Sequence, residues 1–171
     1  MDKLSIVQNM SLQTDEITFV EAAPDDAPLL LSIILRAYAE FWGKLNPRSG
    51  AFAETAESID AKLQKGGAIK ALVGTEAVGT VLYEPQNAFM YFGRLAVLPA
   101  WRGAGIAKGL IKAVEERAVT CGLTRMQIGV RLVLASHQHY YAALGYEPIQ
   151  YECHPGFTEP TSVTMEKALV R

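Results

Sequence analysis

Two cysteines, Cys121 and Cys153, are too few for a secreted disulfide framework in a chain of 171 residues. A net charge of −2 gives no general attraction to nucleic acid or to an anionic membrane. Long hydrophobic runs are missing too. The longest, Ala27–Leu35, contains Ser32 and falls far short of the roughly 20 residues that span a bilayer. The first residues intersperse Asp2, Lys3, Gln8, Asn9, Gln13, Asp15 and Glu16 with isolated apolar side chains, so no signal-peptide core forms. These absences point to a cytoplasmic protein without nucleic-acid or membrane partners. Metal ligands are equally scarce. His137 and His139 lie two apart and would face different sides of a helix. Cys153-His154 has no second pair at ligand spacing, so no metal site is expected.

What is present suits one compact domain. Half of the residues are hydrophobic, enough for a core at a usual domain size of about 100–200 residues. No repeat or long linker divides the chain. Residues 1–15 read as a flexible leader and residues 16–171 as the domain. Ile17–Val20 alternates like a strand. Pro24-Asp25-Asp26 marks a helix start, and that helix runs through Leu29–Tyr38 towards Phe41. Thr55–Ser58 can cap a second helix that ends at Gly66-Gly67. Strands follow at Ala68–Val73, Val78–Glu84 and Phe89–Leu98. The helix Gly105–Cys121 turns Ile106, Leu110, Val114, Ala118 and Cys121 to one face, which places Cys121 on the buried side. Arg125–Arg131 is a buried strand, Ser136–Leu144 a short helix, and Glu147–Glu152 and Ser162–Leu169 the last two strands. The order βααβββαβαββ is mixed α/β.

The chemistry concentrates where the third long strand meets the third helix, in Leu95-Ala96-Val97-Leu98-Pro99-Ala100-Trp101-Arg102-Gly103-Ala104-Gly105-Ile106-Ala107. The first N–H groups of a helix have no internal partner, and the helix dipole adds positive potential there. Such a turn can hold a phosphate or pyrophosphate, with glycines allowing close approach. Arg102 can pair with phosphate, and Lys108 lies close behind. An ordinary strand–turn–helix junction would also carry two glycines. A dinucleotide fingerprint, Gly103-x-Gly105-x-x-x-Gly109, is opposed by its position: it follows at least three strands, and the next strand ends at Arg131 instead of an acidic residue.

Arg102-x-x-Gly105-x-Ala107 resembles the Q/R-x-x-G-x-G/A motif of the GCN5-related N-acetyltransferase (GNAT) superfamily. Tyr140-Tyr141-Ala142-Ala143-Leu144-Gly145-Tyr146 is similar to that family's F/Y-Y-x-x-x-G-F/Y segment. The two motifs fall in order on the right elements, and the likeness spans Ile17–Leu169. The resemblance implies a single domain with a mixed, mostly antiparallel sheet of six to seven strands flanked by about four helices. It implies acetyl-CoA as acyl donor and direct transfer to an amine, with no metal. Leu95, Ala96 and Val97 would line the pantetheine arm, with backbone groups of Leu95 and Val97 bonding its amides. Arg102, Gly103, Ala104, Gly105, Ile106 and Ala107 would hold the pyrophosphate. Tyr141 matches the tyrosine that protonates the leaving thiolate.

Some positions stay open. The family's asparagine before the tyrosine helix is replaced by Leu134, and Ser136 could cap that helix instead. Glu84 or Tyr91, acting through water, could serve as the base. Tyr38, Phe41 and Trp42 end the helix that in this family borders the acceptor pocket, and the loop charges Arg48, Glu152 and Glu159 could reach it. Tyr140 and Tyr146 are expected in the core or at an edge. The acceptor would be a small-molecule amine or a protein amino group, and the resemblance leaves a homodimer open. A non-catalytic acyl-CoA sensor on the same fold is the rival.

Overall fold

A computed structural model describes residues 16–170, so the expected leader 1–15 lies outside the described residues. Among the described residues, seven strands form one sheet: β1 (Ile17–Glu21), β2 (Gly67–Val73), β3 (Glu76–Pro85), β4 (Met90–Val97), β5 (Arg125–Arg131), β6 (Glu147–Glu152) and β7 (Ser162–Ala168). Their order across the sheet is β1-β2-β3-β4-β5-β7-β6. Every neighbouring pair is antiparallel except β4 with β5. Four α-helices join them among the described residues: α1 (Ala27–Tyr38), α2 (Ala56–Lys65), α3 (Ile106–Thr120) and α4 (Ala135–Ala143).

Each face of the sheet has its own core. On one side, α3 sets Ile106, Leu110, Ile111, Val114 and Ala118 against the inner residues of β2 to β5, and α4 adds Tyr141. On the other, Leu30, Ile33 and Ile34 of α1 and Ile59 of α2 close over Ala68, Leu82 and Ala96. Fully burying one such aliphatic side chain contributes about 1.5–3 kcal/mol, so these stripes decide which way each helix faces. Local signals set the ends. Thr55 accepts from the Ser58 N–H and Ser58 returns the bond, a capping box that starts α2. Gly109 of α3 is a packing glycine: a Cβ there would lie 2.1 Å from the Phe19 ring of β1. That contact, not a nucleotide, accounts for the third glycine of the apparent fingerprint.

Two details differ from the sequence expectation. Cys121 is exposed, because it caps the end of α3 where the chain already turns towards Gly122. Leu134, not Ser136, occupies the N-cap of α4, and no side chain caps that helix. Ser136 is already inside the first turn, where its hydroxyl is not placed to receive the first free N–H groups.

Candidate active site

The parallel pair β4 and β5 is joined only at its start, Met90 to Met126 and Tyr91 to Gln127. Beyond Tyr91 the strands part. A bulge on β4 contributes: Leu82 pairs with Gly93 and Thr80 with Ala96, so Arg94 and Leu95 together oppose Val81. Arg94 has φ 50°, a conformation that costs an L-residue about 1–2 kcal/mol. Glu54 holds it there, its Oε1 accepting from Arg94 Nε at 2.9 Å. The same carboxylate accepts from Ser58 Oγ and Lys62 Nζ and is almost fully enclosed. From Phe92 to Val97, β4 has no ladder to β5, which leaves backbone groups free along a cleft of about 780 Å³.

At the far end of β4 the chain makes a 3₁₀ turn, Pro99–Trp101, and then enters α3 through Gly103 (φ 81°) and Gly105 (φ 79°). Both adopt the left-handed conformation that glycine reaches without strain. Among the described residues, no N–H from Gly103 to Lys108 donates to a backbone carbonyl or a side chain. Gly103, Gly105, Ile106, Ala107 and Lys108 line the cleft. An array of unpartnered amides at a helix N-terminus fits a diphosphate.

The remaining sequence candidates divide. Leu95 and Val97 line the cleft, whereas Ala96 turns into the α1 core and Ala104 does not line it. Arg102 lines it, and each of its three guanidinium nitrogens makes one bond within the protein. Nε donates to the Val97 carbonyl at 3.2 Å, Nη2 to the Ala37 carbonyl at 2.9 Å and Nη1 to Glu40 at 2.8 Å. These bonds tie the glycine loop to the C-terminal end of α1.

Tyr141 sits on α4 with its ring edge-on to Phe92 of β4 and to Tyr146. Burial raises its pKa, and Tyr38, Tyr140 and Tyr91 add to the shift, so the phenol keeps its proton. The Tyr141 hydroxyl has no hydrogen-bond partner among the described residues. The sole buried, unpartnered side-chain N or O among the described residues is Nε of Arg131, so solvent reaches that hydroxyl from the cleft. Tyr146 is core, as expected, and hydrogen-bonds Glu115 at 3.2 Å. Tyr140 instead lines the cleft.

Of the two base candidates, Tyr91 lines the cleft, while Glu84 lies off it in a side pocket with Lys62 and Tyr83. Burial raises the Tyr91 pKa above 10.0, Glu152 adds to this and Arg94 opposes it, so Tyr91 is a phenol at neutral pH. His137 also lines the cleft, edge-on to Phe41 at 5.8 Å, which sequence reasoning missed. Burial lowers its pKa below 6.5 despite Glu40, leaving a neutral imidazole able to accept a proton. Tyr38 and Phe41 line the cleft and Trp42 does not: it packs edge-on to Phe52 under Arg48. No cluster of three potential metal ligands occurs among the described residues.

A mostly antiparallel sheet, opened at its one parallel pair beside a helix N-terminus with bare amides, defines an α/β fold with a phosphate-ready cleft across the sheet. The chain belongs to the acetyltransferase (GNAT) family, whose profile matches residues 30–146. Members of this family are acyltransferases. Among similar solved structures is the ribosomal-protein-S18-alanine N-acetyltransferase of Escherichia coli. It has a TM-score of 0.74 and 14% identity over 91% of this chain and 96% of that one. The PaiA N-acetyltransferase of Thermoplasma acidophilum in complex with coenzyme A gives 0.72 and 15% over 90% and 99%. The IAA acetyltransferase of Bacillus cereus gives 0.66 and 17% over 90% and 100%. At these identities the likeness is one of fold. Among the described residues no helix is long and apolar enough to cross a membrane.

Proposed function

We propose that this chain is an N-acetyltransferase that moves the acetyl group of acetyl-CoA directly to an amine, a small-molecule amine or a protein amino group. The observation that carries the proposal is the run of unpartnered amides from Gly103 to Lys108, beside a β4 edge that β5 leaves open. In this reading the amides of Gly103 to Ala107 take the pyrophosphate, Arg102 fixes their loop, and backbone groups of Leu95 and Val97 take the pantetheine amides. Bound acetyl-CoA supplies a thioester: an amine lone pair attacks its carbonyl carbon, a C–N bond forms, the C–S bond breaks, and coenzyme A leaves as thiolate. A backbone N–H near Leu95 stabilises the carbonyl oxygen as it gains charge. The Tyr141 hydroxyl donates its proton to the departing sulfur. A lysine-like ammonium has a pKa of about 10.4 and must shed a proton before its nitrogen can attack. Neutral His137, or water held by Tyr91, receives it.

Acetyl-CoA at about 100 times its dissociation constant should stabilise the fold by about 2.7 kcal/mol, a melting shift of roughly 5–11 °C at this size. Thiol release with an amine panel then reports transfer. No melting shift would remove the proposal. A shift without thiol release across the panel would favour the acyl-CoA sensor.

A further inference from the structure

The names carried by the fold neighbours span different acceptors, so the acceptor of this chain has to be sought in its own cleft. Five charged side chains line it: Glu40, Arg94, Arg102, Lys108 and Arg131. Arg102 is compensated by Glu40 at 2.8 Å and Arg94 by Glu54 at 2.9 Å. Lys108 belongs to the first turn of α3, at the diphosphate end. Arg131 is different. It has no carboxylate within 4.0 Å among the described residues. Its Nη2 donates to the Pro47 carbonyl at 2.5 Å, and its Nε is buried with no partner among the described residues. Nη1 likewise has no partner among them and is open to solvent in the cleft.

Its position separates it from the diphosphate loop. Met126, Ile128 and Val130 of β5 enter the α3 core, so Gln127, Gly129 and Arg131 take the opposite face of the sheet. By the same alternation Phe92 faces α3 and α4, while Tyr91 shares the face of Arg131. Tyr141 therefore approaches the β4–β5 gap from one side and Arg131 from the other, where the α1–α2 loop and His154 also border the cleft. Glu152 is the carboxylate whose charge is felt at Tyr91 on this face, and it accepts from Thr164 at 2.9 Å. Burial lowers the pKa of Arg131, yet a guanidinium remains charged at neutral pH. A half-buried cation with no carboxylate beside it and a free N–H group facing the cleft is suited to an anion that enters there.

We infer that Arg131 seats the carboxylate of the acceptor, which makes the acceptor an amine that also carries a carboxylate, of the amino-acid class. This rests on the acyl-transfer reading above. A planar guanidinium suits a carboxylate through paired N–H···O bonds, and the free amine end then points to the gap where the thioester would lie.

The test compares each acid with a matched amine that lacks the carboxylate, amino acids against their carboxamides and lysine against the decarboxylated diamine cadaverine, with thiol release from acetyl-CoA as readout. A hydrogen-bonded charge at this site should favour the acid by roughly tenfold or more in kcat/KM. Arg131→Gln should bring the ratio close to one, mainly through KM for the acid, and Arg131→Lys should recover part of it. Losing the tie to Pro47 would slow both members alike and leave their ratio unchanged, so the ratio reports the seat and not the loop. Equal rates for acid and amide in the wild type, or an unchanged ratio in Arg131→Gln, would overturn the inference while acyl transfer stands. Thiol release with other amines of the panel but with neither member of any pair would overturn the inference while acyl transfer stands; no thiol release with any amine of the panel would remove acyl transfer, and the inference with it.

Discussion

Glu54→Gln removes one charge from the point where the α1–α2 connection grips β4. Three donors converge on that carboxylate, from Ser58, Lys62 and Arg94, and its side chain is 4% exposed. Breaking a fully buried pair costs about 3–5 kcal/mol. Here the partners are wetter, with Arg94 29% and Lys62 42% exposed, so about 2–3 kcal/mol is expected after discounting for solvent. That corresponds to a fall in Tm of about 4–12 °C for a domain of this size. The effect has a defined pH dependence. Burial alone would push the Glu54 pKa up, but bonds from Lys62, Ser58 and Arg94 outweigh it and leave the value below 4.5. A carboxylate depressed in this way contributes fully above about pH 4.5, and the contribution is lost as pH falls through the folded value. Urea unfolding of both proteins between pH 7 and pH 3 should show a gap that closes on acidification. Asp26, also depressed once its bond from Lys70 outweighs burial, keeps some slope in the variant. Equal stability at neutral pH, or a gap constant with pH, would refute the electrostatic account of how Arg94 is kept at positive φ.

Tyr141→Phe should lower turnover by about 10²–10⁴ with little change in Tm, since the lost hydroxyl has no hydrogen-bond partner among the described residues; steady-state kinetics and a thermal melt check both. Unaltered turnover would exclude Tyr141 as the acid. A Cβ at Gly105 would meet no atom within 4 Å, but Gly105→Val forces a branched residue to φ 79°. The strain of about 1–2 kcal/mol predicts a Tm loss of roughly 2–8 °C. Displaced amides should also raise KM for acetyl-CoA about tenfold or more, while KM for the amine changes little.

Features that depend on neighbours along the chain were legible without coordinates. The period of α3, the capping box of α2 and the glycine turn into α3 each arise from residues a few positions apart, so the pattern carries its own cause. Tyr141 was legible because its segment travels with Gly145 as one local motif. Other features depend on groups far apart in sequence. The bonds of Arg102 to Ala37 and Glu40 appear only once folding brings those residues within reach of its guanidinium. Glu54 and Arg94 are 40 residues apart, and neither hints at the other. Arg131 is merely a strand end in the sequence. Its isolation follows from which carboxylates the sheet leaves distant, and the sum of all pairings over the folded surface decides that.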